Sequence, residues 1–291
     1  MPRYKLTIAY EGTDFCGWQK QTPPAGTTDA DLVLPREPDP AMPEGTEVVH
    51  SWDELRTVQA IVERAVRAVV RQPVELAGAS RTDSGVHARG QVAAFTCADG
   101  EERGIGWPLS RGTDALAKAI NSRLAGDVLV LGAEVVDPEF NPIRGALRKR
   151  YTYTIWNDPQ RPLWERRTAL HVYTPLNVDR MNEAARVIQG EHDFAAFAAA
   201  GHGRLSTVRT VFSCDVRSEA ALGEARRVVI GVEGNGFLWN MVRIIAGTLV
   251  EAGKGRLEVD RIREALTTGK RELAGPTLPP HGLCLEWIRY S

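Results

Sequence analysis

The sequence has no long apolar run and few of the residues that bind metals. No stretch of about 18 consecutive uncharged apolar residues occurs, so we expect no segment to cross a bilayer. The N-terminus lacks the apolar middle of a signal peptide, which predicts a cytoplasmic protein. The four cysteines are far apart, at Cys16, Cys97, Cys214 and Cys284. Neither they nor the histidines show the close pairs typical of zinc sites, so we expect no metal and four thiols that pack as small apolar groups.

The chain also lacks an overall excess of charge, because its net charge is −1. Acidic residues concentrate in residues 22–57, where eight acidic side chains face two basic ones, and the remainder therefore carries +5. Residues 141–167 hold seven basic and two acidic side chains. A local basic patch can bind phosphates even when the whole chain is near neutral. An ordinary solvated surface is the alternative explanation for such a patch.

The periodicity of the apolar residues predicts the same element order in both halves. Alternation or short apolar runs predict strands at residues 4–10, 74–77, 91–96, 128–136, 150–156, 207–216, 227–233 and 283–290. Helical spacing predicts helices after a capping box at residues 51–54, at 114–124, after an Asn177 cap up to Gly190, at 238–252 and at 260–268. Each half thus follows the ferredoxin-like order β-α-β-β-α-β.

This order predicts an α+β fold of two halves, residues 1–140 and 141–291, with mostly antiparallel sheets side by side and a central cleft. We expect the first half to carry a catalytic loop and the second to complete the cleft. Residues 22–50 break the pattern because they are rich in proline and acidic residues. They predict a flexible insertion, since such a segment buries too little apolar surface to become ordered.

The densest polar cluster lies at residues 78–92, between two predicted strands. It reads Gly-Ala-Ser-Arg-Thr-Asp-Ser-Gly-Val-His-Ala-Arg-Gly-Gln-Val. Its glycines let the backbone turn and approach a ligand closely. Asp, Ser and Gly also form ordinary turns, so the short Thr-Asp-Ser-Gly run alone is weak evidence of a site. The whole run, with Arg81, Asp83 and His87 within seven residues, is more specific.

This run resembles the active-site signature of the tRNA pseudouridine synthase A family, Gly-Arg-Thr-Asp-Ala-Gly-Val-His-Ala followed by Gly-Gln-Val. Other segments similar to family motifs lie, in the family's order, at residues 10–13, 17–19, 57–59, 150–153, 190–194, 236–243 and 282–285. Two departures stand out. Residues 22–50 have no counterpart in the family's short loop, and residues 140–144 replace its Phe-His-Ala-Arg-Phe with Phe-Asn-Pro-Ile-Arg. The arginine of that motif is absent or shifted by one.

The resemblance implies the pseudouridine synthase fold and the isomerisation of uridine in the anticodon stem–loop of tRNA, at positions 38, 39 and 40. It also implies a homodimer. The product is an isomer of the substrate, so no cofactor is required. Several adjacent target positions suggest that the RNA is recognised by shape more than by base sequence.

The resemblance further assigns roles in the reaction. Asp83 is the catalytic carboxylate, acting as nucleophile at the base or at the anomeric carbon, or removing a sugar proton. Arg243 pairs with Asp83, keeping it ionised and oriented. Tyr151 stacks on the extruded base and can relay a proton, while Leu283 packs against the uracil face. Arg81 holds the flipped nucleotide by its phosphate.

Four further residues are candidate RNA contacts. His87 either holds the nucleotide or is a hydrogen-bonded structural histidine. Arg148, Lys149 and Arg150 are expected to bind phosphates, which would offset the cost of taking a base out of its stack.

Two alternatives compete with this assignment. Ferredoxin-like halves also form non-catalytic RNA-binding modules, but no aromatic-rich Lys/Arg-Gly-Phe strand is present and such a module does not need Asp83. A nucleotide-dependent enzyme is suggested by residues 247–254. Their glycine spacing is one residue too long for a phosphate loop, and Gly255 stands where Ser or Thr is needed. We therefore expect no nucleotide cofactor.

Overall fold

The computed structural model describes residues 1–23, 32–34, 54–100, 104–199 and 205–290. The chain divides into two compact units, Met1–Ala146 and Leu147–Ser291. Each unit combines helices with mostly antiparallel strands, so the α+β prediction is confirmed. Most of the predicted insertion, residues 22–50, lies outside the described residues. The roles assigned to the two halves and the cleft between them stay predictions.

The first unit has the predicted β-α-β-β-α-β order. Its elements are β1 (Arg3–Tyr10), α1 (Val58–Val70), β2 (Ala77–Gly78), β3 (His87–Thr96), α2 (Gly112–Asn121) and β4 (Val128–Val136). The strands pair antiparallel in the order β4-β1-β3-β2. Residues along β1 alternate between buried and half-buried, as expected for a strand with one face on the core. Tyr4, Leu6 and Ile8 form the buried face, and Leu116 and Ile120 of α2 are fully buried as well.

Helix α1 begins later than the sequence suggests. The N-cap is Thr57, whose side chain accepts a hydrogen bond from the Ala60 amide at 3.4 Å. Leu55 instead forms an isolated antiparallel bridge with Val33. The capping box predicted at residues 51–54 is therefore wrong as the helix start, because Leu55 is extended and a suitable cap directly precedes the first buried helical residue, Val58. Residues 51–53 themselves lie outside the described residues.

The strand predicted at residues 74–77 is also mostly wrong, since β2 contains only Ala77 and Gly78. The backbone between α1 and β2 is bound by side chains of α1 and not by a neighbouring strand. Glu63 accepts from the Leu76 amide at 2.8 Å, and Arg67 donates to the Val74 carbonyl at 2.9 Å. The polar backbone groups are therefore satisfied without a β-ladder.

The second unit contains the same order with additions. Its elements are β5 (Arg148–Asn157), β6 (Leu170–Val172), α3 (Val178–Ile188), β7 (Gly190–Asp193), β8 (Val208–Ala220), β9 (Arg226–Gly234), α4 (Met241–Gly253), α5 (Val259–Thr268) and β10 (Leu283–Arg289). The antiparallel strands run β10-β5-β9-β8-β7, and β6 pairs parallel to β5. Without the short strands β6 and β7, which the sequence did not predict, the strand order repeats that of the first unit.

Helices α3 and α4 form much of the core of the second unit. Asn177 caps α3 as predicted, accepting from the Arg180 amide at 3.0 Å. The apolar face of α3 is fully buried, as its helical spacing predicts, and consists of Met181, Ala184, Ala185 and Ile188. Most residues of α4 are buried as well. A Cβ at Gly247 would lie 1.9 Å from the Pro276 carbonyl oxygen, so this glycine serves close packing inside a helix.

Two observations concern the predictions that no segment crosses a bilayer and that the cysteines pack as small apolar groups. Among the helices of the described ranges, none is long and apolar enough to cross a membrane. The described cysteines are free thiols: Cys97 and Cys214 are buried, whereas Cys16 and Cys284 are half-buried. Burial raises the pKa of Cys97 to about 11, as expected for an inert thiol packed in the core.

Candidate active site

Asp83 lies on a tight turn that leads into β3. The Val86 amide donates to the Asp83 carbonyl at 3.1 Å, which closes a four-residue turn. Gly85 has a φ of +78° inside this turn, a conformation that glycine adopts at little cost. The Asp83 side chain is half-buried. A turn closed by its own backbone and followed directly by a buried strand fixes the main chain that carries the carboxylate.

The segment that follows β1 packs against the backbone of this turn. The Trp18 amide donates to the Thr82 carbonyl at 3.0 Å. A Cβ at Gly12 would lie 2.0 Å from the Val86 carbonyl oxygen, and one at Gly17 would lie 2.7 Å from the Thr82 oxygen. These two glycines therefore allow two loops, far apart in sequence, to touch backbone to backbone.

Three buried aromatic residues contact the same turn. Tyr10, Phe15 and Trp18 are almost fully buried, and the ring of Tyr10 lies 6.1 Å from that of Trp18. The Tyr10 hydroxyl shares a 2.7 Å hydrogen bond with the Thr82 hydroxyl. The Ser84 hydroxyl donates to the Phe15 carbonyl at 3.0 Å. Both neighbours of Asp83 in the sequence are thus anchored to the aromatic group.

His87 joins the two loops through its ring. Its Nδ1 accepts a hydrogen bond from the Gly12 amide at 2.9 Å, and the side chain is buried. Since Nδ1 accepts here, the ring proton lies on Nε2 when the histidine is neutral. This contact supports the structural role for His87, and its predicted contact with the nucleotide stays a prediction.

Arg81 is exposed on the outer side of the turn. Its Nε donates to the Gln19 side chain at 2.8 Å, which orients the guanidinium. Buried Gln91 donates to the Ser80 carbonyl at 2.7 Å and so fixes the chain just before Arg81. An exposed, oriented guanidinium next to Asp83 is suited to the predicted phosphate contact.

In the second unit, Tyr151 and Leu283 lie on the same face of two adjacent strands. Tyr151 of β5 is opposite Leu285 of β10, and Leu283 is opposite Tyr153. Residues two apart on a strand share a face, so the two predicted base-contacting side chains are diagonal neighbours. Both are buried. The rings of Tyr151 and Phe237 pack nearly perpendicular to each other, with their centroids 5.3 Å apart, and this contact restricts the orientation of the phenol.

Arg243 lies in the first turn of α4 and is half-buried. Its Nε donates to the Leu278 carbonyl at 2.6 Å, and its Nη1 donates to the Asn240 side-chain oxygen at 2.7 Å. The side chain therefore has a fixed orientation. Burial raises the pKa of Tyr153 above its ordinary value, and the positive charge of Arg243 opposes this effect.

The predicted phosphate-binding residues of β5 have carboxylate partners. Arg148 contacts Glu233 at 3.0 Å, and its guanidinium lies 4.3 Å from the ring centre of Phe212. Arg150 contacts Asp215 at 2.9 Å. A phosphate would have to compete with these acids. Lys149 lies between the two arginines and so projects from the opposite face of the strand. All three phosphate contacts stay predictions.

A family model matches part of the chain, and full-length relatives match all of it. A family model described as tRNA pseudouridine synthase matches residues 184–291. The tRNA pseudouridine synthase A of Pelobacter propionicus is 38% identical over 290 residues, and that of Geotalea uraniireducens is 37% identical over the same length. That of Geobacter sulfurreducens is 36% identical. Each match covers all of both chains.

The chain belongs to the tRNA pseudouridine synthase A family. The resemblance drawn from residues 78–92 and the further motifs is therefore confirmed. The relatives carry the name of an enzyme, which gives the non-catalytic RNA-binding alternative no support. No group of three or more possible metal ligands occurs in the part of the chain that the structure describes.

In this member of the tRNA pseudouridine synthase A family, sequence analysis did not identify the residues that support the turn at Asp83. The motifs that contain Gly12, Gly17 and Trp18 resemble those of the family, but the resemblance assigns these residues no structural role. The bond between Tyr10 and Thr82 joins residues far apart in sequence. The glycines themselves are the local signal, and a glycine in the sequence does not show which backbone it approaches.

Asn240 is another residue that sequence analysis missed. Its φ is +61°, and its side chain makes no cap hydrogen bond to α4 but accepts from Arg243. Asparagine tolerates this left-handed backbone better than most residues. The strained backbone therefore aims an acceptor at Arg243, as is common at functional sites of enzymes.

Replacing Asn240 tests this positioning role in the family member. Asn240→Gly keeps the backbone conformation but removes the acceptor, so we expect kcat for tRNA to fall about tenfold, the effect of one hydrogen bond to a charged group. Asn240→Asp keeps both the conformation and an acceptor and should stay near the wild-type kcat. Equal kcat values for the two variants would contradict the role.

Changing Gly17 tests the backbone contact. Gly17 has a φ of +88°, and a methyl group there would press on Thr82, so Gly17→Ala should lower the free energy of unfolding by about 1–3 kcal/mol. Gly126→Ala is the control, because a Cβ there meets nothing within 4 Å. Urea unfolding of both variants measures the difference, and equal losses of stability would refute the contact.

Proposed function

We propose that this chain converts uridine to pseudouridine in the anticodon stem–loop of tRNA, with Asp83 as the catalytic carboxylate. The observation that carries this proposal is the anchored turn at Asp83, in a chain that matches tRNA pseudouridine synthases A along its full length. A catalytic group acts best when its position is fixed before the substrate arrives. The modified positions are 38, 39 and 40 of the tRNA, or some of these.

The reaction is an isomerisation, so its atoms balance without a co-reactant. The bond from the ribose anomeric carbon to N1 of uracil breaks, the uracil rotates, and a bond to carbon 5 forms. Carbon 5 loses its proton, and N1 gains one. Asp83 acts on this sequence as nucleophile at the base or the anomeric carbon, or by removing a sugar proton. Each of these steps requires the ionised carboxylate.

Arg243 supplies the charge that favours this ionised form. A guanidinium beside a carboxylate stabilises its negative charge. Its Nε is already engaged by the Leu278 carbonyl and its Nη1 by Asn240. A carboxylate would therefore meet the end of the guanidinium formed by the two Nη atoms, not its Nε edge. The pairing of Asp83 with Arg243 belongs to the proposal.

The remaining residues bind the extruded nucleotide. Tyr151 stacks on the uracil, and Leu283 packs against it from the neighbouring strand. Arg81 holds the phosphate of the flipped nucleotide. Aromatic stacking contributes about 1–3 kcal/mol per base, which is similar to the few kcal/mol that unstacking costs. The nucleotide can thus leave the RNA stack at little net cost.

The proposal extends to the setting of the reaction. The enzyme acts in the cytoplasm, where tRNA is processed, and as a homodimer in which the tRNA reaches both subunits. It needs neither a metal nor a nucleotide cofactor, because the substrate and product have the same composition.

Incubating the purified protein with an unmodified tRNA transcript tests the proposed function. New pseudouridines are mapped by chemical labelling and primer extension, with no metal or nucleotide added. We expect product only within positions 38, 39 and 40. A transcript in which all three uridines are replaced by cytidine is the control and should yield none. Product elsewhere, or no product from a folded protein that binds the transcript, would overturn the proposal.

A further inference from the structure

The loop between β5 and β6 exposes two large apolar side chains at its tip. Trp164 is 77% exposed and the adjacent Leu163 is 58% exposed. Tryptophan is highly buried on average in folded proteins. Neighbouring exposed apolar side chains mark a surface that contacts a partner more often than single ones do.

The loop is nevertheless well anchored. The indole of Trp156 donates to the Gln160 carbonyl at 3.0 Å, and Trp156 packs with Ala169 and Ala225 in a small buried cluster. The amides of Thr168 and Ala169 donate to the Glu165 carbonyl at 3.0 and 2.9 Å. These bonds close a turn directly after Trp164. The backbone that carries the indole is therefore held in place, which lowers the backbone entropy that binding must cost.

Positive charge surrounds the exposed indole. Arg161, Arg166 and Arg167 are all exposed. Arg166 donates to the Leu163 carbonyl at 3.0 Å, which places its guanidinium beside the apolar pair. Glu165, the one acidic residue in residues 161–168 of the sequence, lies 3.4 Å from Arg227. The surface thus combines one flat aromatic ring with several cations.

We propose that residues 161–167 bind tRNA outside the reacting nucleotide, with Trp164 stacked on an unpaired base and the arginines on flanking phosphates. The inference rests on the proposed function, since the RNA is its substrate. Every base offers a face for stacking, and unpaired bases in RNA loops are accessible to aromatic side chains. The arginines match the phosphates of the same strand.

A second copy of the chain fits this surface less well than RNA. A two-fold contact centred on Trp164 would bring Arg161, Arg166 and Arg167 close to the same arginines of the other copy. Like charges that face each other weaken such an interface. The charge of the loop therefore favours a polyanion over self-association.

Binding of unmodified tRNA to Trp164 variants tests the inference. The affinity is measured by filter binding with the Asp83→Asn protein, so that no turnover occurs. Trp164→Ala should weaken binding about tenfold, as expected for one lost base stack, and Trp164→Tyr should restore most of the affinity. Arg166→Gln should flatten the slope of log Kd against log salt by about 0.7, whereas Trp164→Ala should leave it unchanged.

The control is Leu109→Ala, which removes a half-exposed apolar side chain from the first unit and should not alter the affinity. Unchanged affinity of folded Trp164→Ala would overturn the inference. A shift of that variant from dimer to monomer in sedimentation without tRNA would also overturn it, because the surface would then join two copies of the chain. If the unaltered protein bound no tRNA, the proposed function itself would fail.

Discussion

Replacing Asp83 by asparagine will abolish pseudouridine formation while tRNA binding persists. We expect kcat to fall by at least about 10³-fold, since the change removes the carboxylate that we propose as the reacting group. Asparagine has nearly the size of aspartate, and the turn is closed by backbone atoms, with the Val86 amide on the carbonyl of residue 83. The fold should therefore survive. Single-turnover pseudouridine formation and filter binding of tRNA measure the two properties separately.

Asp114→Asn is the matched control for this change. Asp114 lies exposed in the first turn of α2 in the same unit, so its replacement removes one carboxylate without touching the turn. We expect at most about 1 kcal/mol of lost stability from the helix dipole and an unchanged kcat. A folded Asp83→Asn protein that still forms pseudouridine at the wild-type rate would remove Asp83 from the mechanism.

Replacing Arg243 by glutamine should have the second-largest effect. The side chain is half-buried and fixed by the Leu278 carbonyl and Asn240, so its charge is held in one place. Loss of a positioned partner of a catalytic carboxylate costs about 3 kcal/mol, and we therefore expect kcat to fall about 10²-fold. Arg243→Lys keeps the charge but cannot reproduce the forked contacts, so it should restore only part of kcat.

A double-mutant cycle shows whether Arg243 acts through Asp83. In the Asp83→Asn background, Arg243→Gln should have little further effect on residual activity, because the carboxylate that it supports is already gone. Arg256→Gln is the control, since Arg256 is largely exposed and lies 3.7 Å from Glu251 after the same helix. Independent, additive losses of activity would contradict the pairing of Asp83 with Arg243.

Local signals in the sequence were sufficient for some elements of the fold. Helix α3 has both a cap and a four-residue apolar face, and it forms at Val178–Ile188 as predicted. Strand β4 is rich in valine and leucine, and it forms at Val128–Val136 as predicted. The short strands β6 and β7 have three and four residues, too few for a periodicity, and they exist because longer strands lie beside them.

Other local signals failed because distant residues competed for the same backbone. Residues 74–77 have strand-like composition, yet Glu63 and Arg67 of α1 bind their polar groups. The start of α1 was predicted from a capping box at residues 51–54, but Thr57 caps the helix. In both cases the chain satisfies its hydrogen bonds with partners that a pattern in one short window cannot identify.

The sequence by itself determined the family, the β-α-β-β-α-β order of each half and the candidate residues, because motifs and periodicity are local properties. Only the tertiary structure decided how those residues are held. Gly12 and Gly17 pack against the turn at Asp83, and the Asn240 side chain accepts a hydrogen bond from Arg243. The physical reason is that backbone approach and side-chain hydrogen bonds depend on distance in space. Residues separated by about 70 positions come into contact only once the strands have paired.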